Sequence, residues 1–278
     1  MPPKPPQNRF SNGSSLMAFQ LSPEAQNNGY RLEGHDTIGS TNAMALERAK
    51  HGDQGRLWVA ALKQDAGRGR RNRVWDSPHG NLAATLLHVH HSEMAQVATL
   101  GFVAGLALKE ALDAVAPRYG KFALKWPNDV LADGNKLSGI LLESIALPNG
   151  ALGIAVGIGV NIIAHPPQTP YPATSLAAQN ISASAELVFL ALSDAWVTLF
   201  RLWNNAAGLD AIRKRWLSGA AGLGSEIALN HNGNVLRGRF ETIDAECRIV
   251  IRDDRGLLHH INAGDVYFGN TASVKAEP

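Results

Sequence analysis

The sequence predicts an α/β protein of the α+β type that ends in a small β-barrel. Between residues 30 and 217, short apolar runs typical of buried strands alternate with segments whose apolar residues recur at helical spacing. From about Gly222 the pattern changes to short alternating runs separated by turn signals, which is typical of a small barrel. We therefore divide the chain into a disordered tail (1–28), a large domain (29–221), a barrel (222–270) and a short tail (271–278).

Composition excludes several classes of protein. Hydrophobic residues make up 45% of the chain, charged residues 18%, and the mean hydropathy is -0.10, as in ordinary globular proteins. A net charge of +2 is too small to indicate a nucleic-acid or membrane partner through bulk charge. The single cysteine, Cys247, excludes an internal disulfide framework. No apolar run is long enough for a membrane span, and the N-terminus lacks the apolar core of a secretory signal, so we expect a cytoplasmic protein.

The first segments lead from a tail to a capped helix. Residues 1–28 are rich in Pro, Asn, Ser and Gln and are expected to be disordered, with a short ordered piece near Leu16–Leu21. Tyr30–His35 is a predicted strand and Ala43–His51 a predicted helix. Between them stand three good N-cap residues, Ser40, Thr41 and Asn42. A helix start with hydroxyl groups and free N–H groups can also hold a polar ligand.

A strand at Leu57–Leu62 is predicted to deliver an arginine-rich segment, Gln64–Trp75, with the sequence Q-D-A-G-R-G-R-R-N-R-V-W. Glycine lets the backbone approach a ligand closely, and arginine offers a planar fork for phosphate or carboxylate. The segment therefore predicts a loop that closes over an anionic small molecule. Taken alone, it also fits a flexible basic surface loop or a nucleic-acid patch. Its arginines and glycines are Arg68, Arg70, Arg71, Arg73, Gly67 and Gly69.

The middle of the large domain is predicted to continue with a strand at Asn81–His88 and one long helix from Ser92 to Ala116. Three histidines near the end of that strand could suggest a metal site. They have no carboxylate or cysteine companions at ligand spacing, so we do not assign one. The three are His88, His90 and His91.

A hairpin carries the next polar motif. Phe122–Trp126 is a predicted strand, and Pro127 then leaves Asn128 and Asp129 on a turn. After the turn residues A-D-G-N, Lys136 begins the returning strand.

A glycine-rich strand follows the hairpin. Ala151–Ile163 alternates glycine with β-branched residues, and Gly157 and Gly159 mark a strand that a ligand or another backbone approaches closely. Asn161, at the end of that strand, could read a purine edge with its amide.

The remaining segments complete both domains. The run H-P-P-Q-T-P-Y-P is predicted to be a surface linker. Helices are predicted at Glu186–Asn204 and Leu209–Leu217, with their tryptophans in the core. The five barrel strands are predicted at Glu226–Leu229, Val235–Ile243, Arg248–Arg252, Leu257–Ile261 and Val266–Phe268.

Four motifs in this order closely resemble the biotin protein ligase family. They are Q-x-A-G-R-G-R-R-x-R-x-W, K-W-P-N-D, K-x-x-G-I-L-x-E and G-I-G-x-N, and the resemblance covers Arg31 to Tyr267. It implies a catalytic domain with a mixed sheet and a C-terminal SH3-like barrel. It also implies that biotin and ATP form biotinyl-5′-AMP, with Mg²⁺ accompanying the nucleotide, and that biotin then passes to a lysine of a biotin carboxyl carrier protein. That carrier would be the acceptor domain of acetyl-CoA carboxylase.

The resemblance also implies roles for particular residues. Catalytic roles fall on Lys136, Arg70 and Asp129. The biotin-binding residues would be Ser40, Thr41, Asn42, Gln64, Arg68, Gly69, Arg70 and Lys136. The ATP-binding residues would be Arg68, Arg70, Arg71, Trp75, Asn128, Asp129 and Asn161. No dedicated metal ligands are implied.

One departure from the family pattern is Asn72, where the family usually has glycine. Asparagine tolerates the left-handed backbone region better than most residues, so we expect the turn to be kept.

Rival functions are a lipoate or octanoate ligase of related fold and a biotin-sensing repressor. The chain lacks the R-R-x-x-G-G-G segment expected of lipoate ligases. The predicted tail is too short for a helix-turn-helix domain, which favours an enzyme that binds no DNA. The family resemblance is compatible with a monomer or a homodimer.

Overall fold

The computed structural model describes residues 18–91, 94–148, 150–169, 171–231 and 233–269, with the side chains of residues 94 and 95 excepted. Its larger part is a seven-stranded sheet with strand order β1-β2-β3-β7-β6-β5-β4. Strands β1 and β2 run parallel, and every other neighbouring pair is antiparallel, so the predicted mixed sheet is confirmed. The strands are β1 (Arg31–Ile38), β2 (Leu57–Gln64), β3 (Leu82–His90), β4 (Phe122–Lys125), β5 (Asp129–Ala132), β6 (Asn135–Ala146) and β7 (Leu152–Val160).

Helices cover both faces of this sheet, which explains why β2 reads as a continuous apolar run. Leu57 and Val59 pack with residues of α2 on one face, and Trp58 and Ala60 belong to the larger core on the other. Successive side chains of a strand point to opposite faces, so both sets are buried. The α-helices in the described part of the chain are α1 (Pro23–Asn27), α2 (Thr41–Lys50), α3 (Met94–Ala98), α4 (Leu100–Val115), α5 (Ala185–Trp203) and α6 (Leu209–Ser218).

Two sequence-based expectations need correction in the helices. The single long helix predicted from Ser92 is interrupted at Thr99, between α3 and α4. The Thr99 hydroxyl donates to the Gln96 carbonyl oxygen (2.5 Å) and accepts from Trp203 Nε1 (2.7 Å), so it competes with the regular helical bonds. Ser92 itself lies outside the described residues.

The expected disordered tail to residue 28 is also wrong in its last part. Residues 23–27 form α1, which Ser22 caps by accepting from the Ala25 N–H. The Ser22 N–H donates to Ser193 Oγ on α5 (2.9 Å), and Ala25 is fully buried. Docking on α5 therefore orders a segment whose local composition is polar. Residues 1–17 and 270–278 lie outside the described part of the chain, as do the first two residues of the short ordered piece expected at Leu16–Leu21.

The C-terminal region forms a separate five-stranded antiparallel sheet with the order β11-β10-β9-β8-β12, consistent with the predicted small barrel. Its apolar residues, such as Phe240, join the same core as those of the large domain. Trp126 Nε1 donates to the Cys247 carbonyl oxygen (3.1 Å), which fastens the hairpin of the large domain to this sheet. The strands are β8 (Glu226–His231), β9 (Asn234–Ile243), β10 (Ile249–Arg252), β11 (Leu258–Ile261) and β12 (Asp265–Tyr267).

Among the described residues, no helix combines the length and the apolar character that a membrane crossing requires.

Candidate active site

A cavity of about 440 Å³ opens beside the arginine-rich loop, between the large sheet and β12. It is lined by residues from the start of α2, the arginine loop, the β4–β5 turn, β6, the end of β7 and β12. Every site residue predicted from the sequence lines it: Ser40, Thr41, Asn42, Gln64, Arg68, Gly69, Arg70, Arg71, Trp75, Asn128, Asp129, Lys136 and Asn161.

The start of α2 is tied to the end of β2. Ser40 is the N-cap, and its hydroxyl accepts from the Ala43 N–H at 3.4 Å. Gln64 Oε1 accepts from both the N–H (2.8 Å) and the hydroxyl (3.1 Å) of Thr41. The side-chain oxygen of Gln64 is thus used by the protein, while its amide NH₂ group has no hydrogen-bond partner among the described residues and is available to a ligand.

Asn42 is buried in a polar network. Its Nδ2 donates to Glu143 Oε2 (2.8 Å), and its Oδ1 accepts from the Thr85 hydroxyl (2.6 Å). A Cβ atom at Gly157 would lie 2.2 Å from Asn42 Oδ1, so this close approach requires glycine in β7. The amide of Asn42 is therefore held by the protein, and Thr85 is a supporting residue that the sequence motifs did not indicate.

The arginine loop folds into a small hairpin. Its backbone closes through Gly69 N–H to Arg73 O (2.7 Å) and Trp75 N–H to Gly67 O (3.0 Å). A Cβ at Gly67 would lie 2.4 Å from the Trp75 carbonyl oxygen, which explains the glycine. Asn72 has φ +58, so the expected left-handed conformation at this position is confirmed, and Arg71 shares it with φ +54.

Each arginine of the loop has a hydrogen-bond or ion-pair partner in the described structure. Arg68 pairs with Glu143 at 3.0 Å, and Arg70 Nη1 donates to Asn128 Oδ1 at 2.9 Å. Burial lowers the pKa of the Arg70 guanidinium from its ordinary value.

The loop also meets the C-terminal sheet through one carboxylate. Asp265, the first residue of β12, lies 2.9 Å from Arg71, 3.6 Å from Arg73 and 3.9 Å from Arg70. Neither Asp265 nor Arg73 was among the predicted site residues, although both line the cavity.

A row of alternating charges, Lys125, Asp129 and Lys136, also lines the cavity. Lys136 Nζ is 2.7 Å from Asp129 Oδ1, and Lys125 Nζ is 3.7 Å from Asp129 Oδ2. Asp129 is the first residue of β5 and not a turn residue as expected, whereas Asn128 does lie on the turn, after a cis peptide bond between Trp126 and Pro127. The strand places the Asp129 carboxylate between the two ammonium groups.

Lys125 was not predicted as a site residue. It is buried, and its ammonium stands 3.5 Å from the centroid of the Tyr171 ring. Burial lowers the pKa of Lys125 to about 8, although Asp129 acts in the opposite direction, and burial raises the pKa of Tyr171 to about 12. Tyr171 belongs to the segment expected to be a surface linker; in the structure that segment forms part of the cavity wall, together with Pro166, Gln168 and Thr169.

Trp75 and Asn161 stand at the glycine-rich end of β7. The Trp75 indole packs so closely on Gly159 that a Cβ there would lie 2.5 Å from the ring. Asn161 Nδ2 donates to the Thr174 carbonyl oxygen (3.0 Å). Its Oδ1 is buried and has no partner among the described residues, so it offers an acceptor for an amino group of a ligand.

No three His, Cys, Asp or Glu residues stand close enough to hold a metal ion in the part of the chain that the structure describes. Two of the carboxylates on the cavity walls, Asp129 and Asp265, already have cationic neighbours.

Sequence comparison gives matches along most of the chain. The Biotin/lipoate A/B protein ligase family matches residues 35–161, and the Biotin protein ligase C terminal domain matches residues 222–269. A biotin--[acetyl-CoA-carboxylase] ligase from Paracoccus denitrificans is 39% identical over 238 residues, which are 83% of this chain and 97% of that protein. A bifunctional ligase/repressor from Bacillus subtilis is 27% identical over 260 residues, which are 92% of this chain and 78% of that protein.

Solved structures give the same picture of the fold. The biotin protein ligase from Aquifex aeolicus in complex with biotin and ATP superposes with a TM-score of 0.68 at 25% identity, covering 85% of this chain and 97% of that one. A Helicobacter pylori biotin acetyl coenzyme A carboxylase synthetase with bound biotinylated ATP superposes with a TM-score of 0.57 at 20% identity, covering 83% of this chain and 99% of that one.

Proposed function

The chain belongs to the biotin protein ligase family, and we propose that the cavity beside its arginine loop carries out both half-reactions of that family. The enzyme is an ATP-dependent ligase that activates biotin as biotinyl-5′-AMP and then transfers it to a lysine of a protein acceptor. The observation that supports this site is the convergence of the four sequence motifs, distant along the chain, on one cavity.

In the first half-reaction, the biotin carboxylate attacks the α-phosphorus of ATP, a new carboxyl–phosphate bond forms, and pyrophosphate leaves. The biotin carboxylate and the α-phosphate of ATP are both anions and repel each other as they approach. Cationic donors are therefore needed close to both groups. Arg70 of the loop and Lys136 of β6 both line the cavity and are assigned to this role. Arg70 is held at its position by Asn128.

Substrate binding is divided between the two ends of the cavity. We assign biotin to the end formed by Ser40, Thr41, Asn42, Gln64, Arg68 and Gly69. The amide NH₂ of Gln64 supplies a free donor there. We assign the nucleotide to the end formed by Arg71, Trp75, Asn128, Asp129 and Asn161. Arg68 and Arg70 are assigned to both substrates, and Lys136 also to biotin. The unpartnered Oδ1 of Asn161 supplies an acceptor for an exocyclic amino group.

In the second half-reaction, the amine of the acceptor lysine attacks the carbonyl carbon of the adenylate, an amide forms, and AMP leaves. The amine must lose a proton, and Asp129 is the carboxylate that lines the cavity beside Lys136. We propose a biotin carboxyl carrier domain of acetyl-CoA carboxylase as the acceptor, as the relative from Paracoccus denitrificans is named for this substrate.

Mg²⁺ is proposed to enter with ATP and to be held through phosphate oxygens. Two of the cavity carboxylates, Asp129 and Asp265, are already paired with lysine and arginine, which does not suit a dedicated cage for this ion. We place the reaction in the cytoplasm, where a chain with a single cysteine and a need for ATP fits.

Exchange of labelled pyrophosphate into ATP tests the first half-reaction directly. We expect exchange that depends on biotin and is not supported by lipoate. An added carrier domain should then become biotinylated on one lysine. Exchange with lipoate as fast as with biotin would overturn the assignment of biotin to the Ser40–Gln64 end of the cavity.

A further inference from the structure

Lys125 is a buried lysine to which none of the roles above is given. It ends β4, its side chain is 7% exposed, and it stands between the Asp129 carboxylate and the Tyr171 ring. A cation over the face of an aromatic ring is stabilised by the ring's quadrupole, and a desolvated ammonium benefits most. The ring therefore holds the Lys125 ammonium against Asp129 and away from water.

The Tyr171 ring is itself fixed by the wall of the cavity. Its hydroxyl donates to the Gly134 carbonyl oxygen at 2.9 Å. The next residues pair with the backbone of Lys136: the Lys136 N–H donates to Pro172 O (2.8 Å), and the Thr174 N–H donates to Lys136 O (2.9 Å). The same segment thus anchors the backbone of Lys136 and covers Lys125.

Asp129 has one ammonium on each oxygen, and the two contacts differ. Lys136 makes the short contact, 2.7 Å, and its side chain is 29% exposed. Lys125 makes the long one, 3.7 Å, and is almost wholly buried. Because the Asp129 side chain is only 11% exposed, leaving its carboxylate without a counter-ion would carry a large desolvation cost.

The first half-reaction needs Lys136 at the anionic substrates, so its short contact with Asp129 must weaken when they bind. We propose that Lys125 is a positioning residue that serves as the standby counter-ion of Asp129. It neutralises the carboxylate when Lys136 turns to the phosphate, and Tyr171 keeps it in place for this purpose. The proposal rests on the role given above to Lys136.

This arrangement has a consequence that a purely structural role does not share. Without Lys125, Asp129 retains Lys136, and adenylate formation falls. Removing the charge of Asp129 as well frees Lys136 again, because no carboxylate is left to hold it. Replacing Asp129 should therefore restore the activity that is lost when Lys125 is replaced. This recovery is expected only for adenylate formation, because transfer to the carrier needs Asp129 as a proton acceptor.

The test compares Lys125→Met, Asp129→Asn and the double variant by biotin-dependent ATP–pyrophosphate exchange. We expect Lys125→Met to lower exchange about 10- to 100-fold, the range of a hydrogen bond to a charged group. We expect the double variant to recover most of that loss, while transfer to the carrier stays low. Lys109→Met is a matched control: it also removes a lysine from an i,i+4 pair with an aspartate, Asp113, but outside the cavity, and should leave exchange unchanged.

A double variant as slow as Lys125→Met, or slower, overturns the proposal, because it would show that Lys125 acts through packing alone. If circular dichroism shows that Lys125→Met is unfolded, Tyr171→Ala takes its place, since it removes the ring that holds Lys125. The same suppression by Asp129→Asn is then expected, and its absence contradicts the proposal equally. If the unaltered protein shows no biotin-dependent exchange, the proposed function itself is refuted.

Discussion

Replacing Asp265 by asparagine should loosen the arginine loop without touching the loop itself. Asp265 lies on β12 of the C-terminal sheet, and three arginines of the loop stand within 2.9 to 3.9 Å of its carboxylate. Asparagine has almost the same shape but no charge. The substitution therefore removes the ion pairs and leaves the packing of β12.

The expected magnitude follows from the exposure of these side chains. Asp265 is 24% exposed, Arg71 45% and Arg73 55%, so each pair is partly screened by water. Exposed pairs contribute about 0.2–1 kcal/mol each, and three of them share one carboxylate, so together they stabilise the closed loop by about 1–2 kcal/mol. That free energy corresponds to a change of about 5- to 30-fold in the ratio of closed to open loop.

A closed loop shields biotinyl-5′-AMP from water and from other amines. The dissociation rate of the adenylate should therefore rise about 5- to 30-fold in Asp265→Asn, measured after a single turnover by trapping the released adenylate with a free amine. The Debye length falls to about 3 Å at 1 M salt, so the difference from the unaltered protein should shrink as salt is added. Tryptic cleavage after the loop arginines should quicken in parallel.

Glu241→Gln is the matched control, because Glu241 forms a similarly exposed pair with Arg252 (2.9 Å) in the same sheet but does not line the cavity. It should leave adenylate release unchanged. If Asp265→Asn releases the adenylate at the same rate as the unaltered protein in low salt, the carboxylate does not hold the loop closed.

Four further outcomes are expected. Lys136→Ala should lower single-turnover adenylate formation by about 10²–10³, as for loss of one charge-stabilising donor, and an unchanged rate would remove this lysine from the mechanism. Arg70→Gly should shorten the residence of the adenylate by about one to two decades, since a hydrogen bond to a charged group is lost, and so label bystander proteins; labelling of the carrier alone would contradict this. Asn72→Gly should keep steady-state turnover and Asn72→Val should cripple it, because φ is +58 at this position, and equal turnover would show no such constraint. Burial lowers the pKa of His88 to about 4, so the contribution of its neutral form to the free energy of unfolding should be complete above about pH 6.5 and fall by roughly 3 kcal/mol towards pH 4; His88→Gln should flatten this part of a denaturation series, and an unchanged slope would exclude His88.

The regular elements of the large domain could be predicted where the signals are local. The Ser40 cap, the continuous apolar run of β2 and the periodic spacing of α5 each indicate structure within a few residues, and each was confirmed within two or three residues. The interruption at Thr99 could not be read in this way. It depends on the indole of Trp203, which lies 104 residues further along the chain.

The residues of the candidate site likewise divide into those with a local sequence signal and those placed by contacts between distant segments. Its predicted members lie in motifs whose composition already indicates an anion site, and the structure brings them all to one cavity. Asp265 was missed because its role appears only through a contact with Arg71 across 194 residues. A signal for Lys125 was present, since a lysine that ends the apolar run F-A-L in a strand is expected to be buried or paired. Tyr171 lies in a proline-rich segment whose path along the cavity wall no local pattern indicates.

Charge, finally, is concentrated in the cavity and not spread over the chain. Six cationic side chains and three carboxylates line the cavity among the described residues, an excess of three, whereas the whole chain has a net charge of +2. The rest of the molecule therefore contributes no net attraction for anions, and steering towards the cavity is local. Two of those carboxylates, Asp129 and Asp265, already form ion pairs with cations that would bind the anionic substrates. Binding must then exchange a protein carboxylate for a substrate anion as the partner of Lys136 and of the loop arginines. Each new contact between a substrate anion and a cavity cation replaces an ion pair within the protein, so a single contact adds little net attraction. The site therefore favours ligands that contact several of these cations at once.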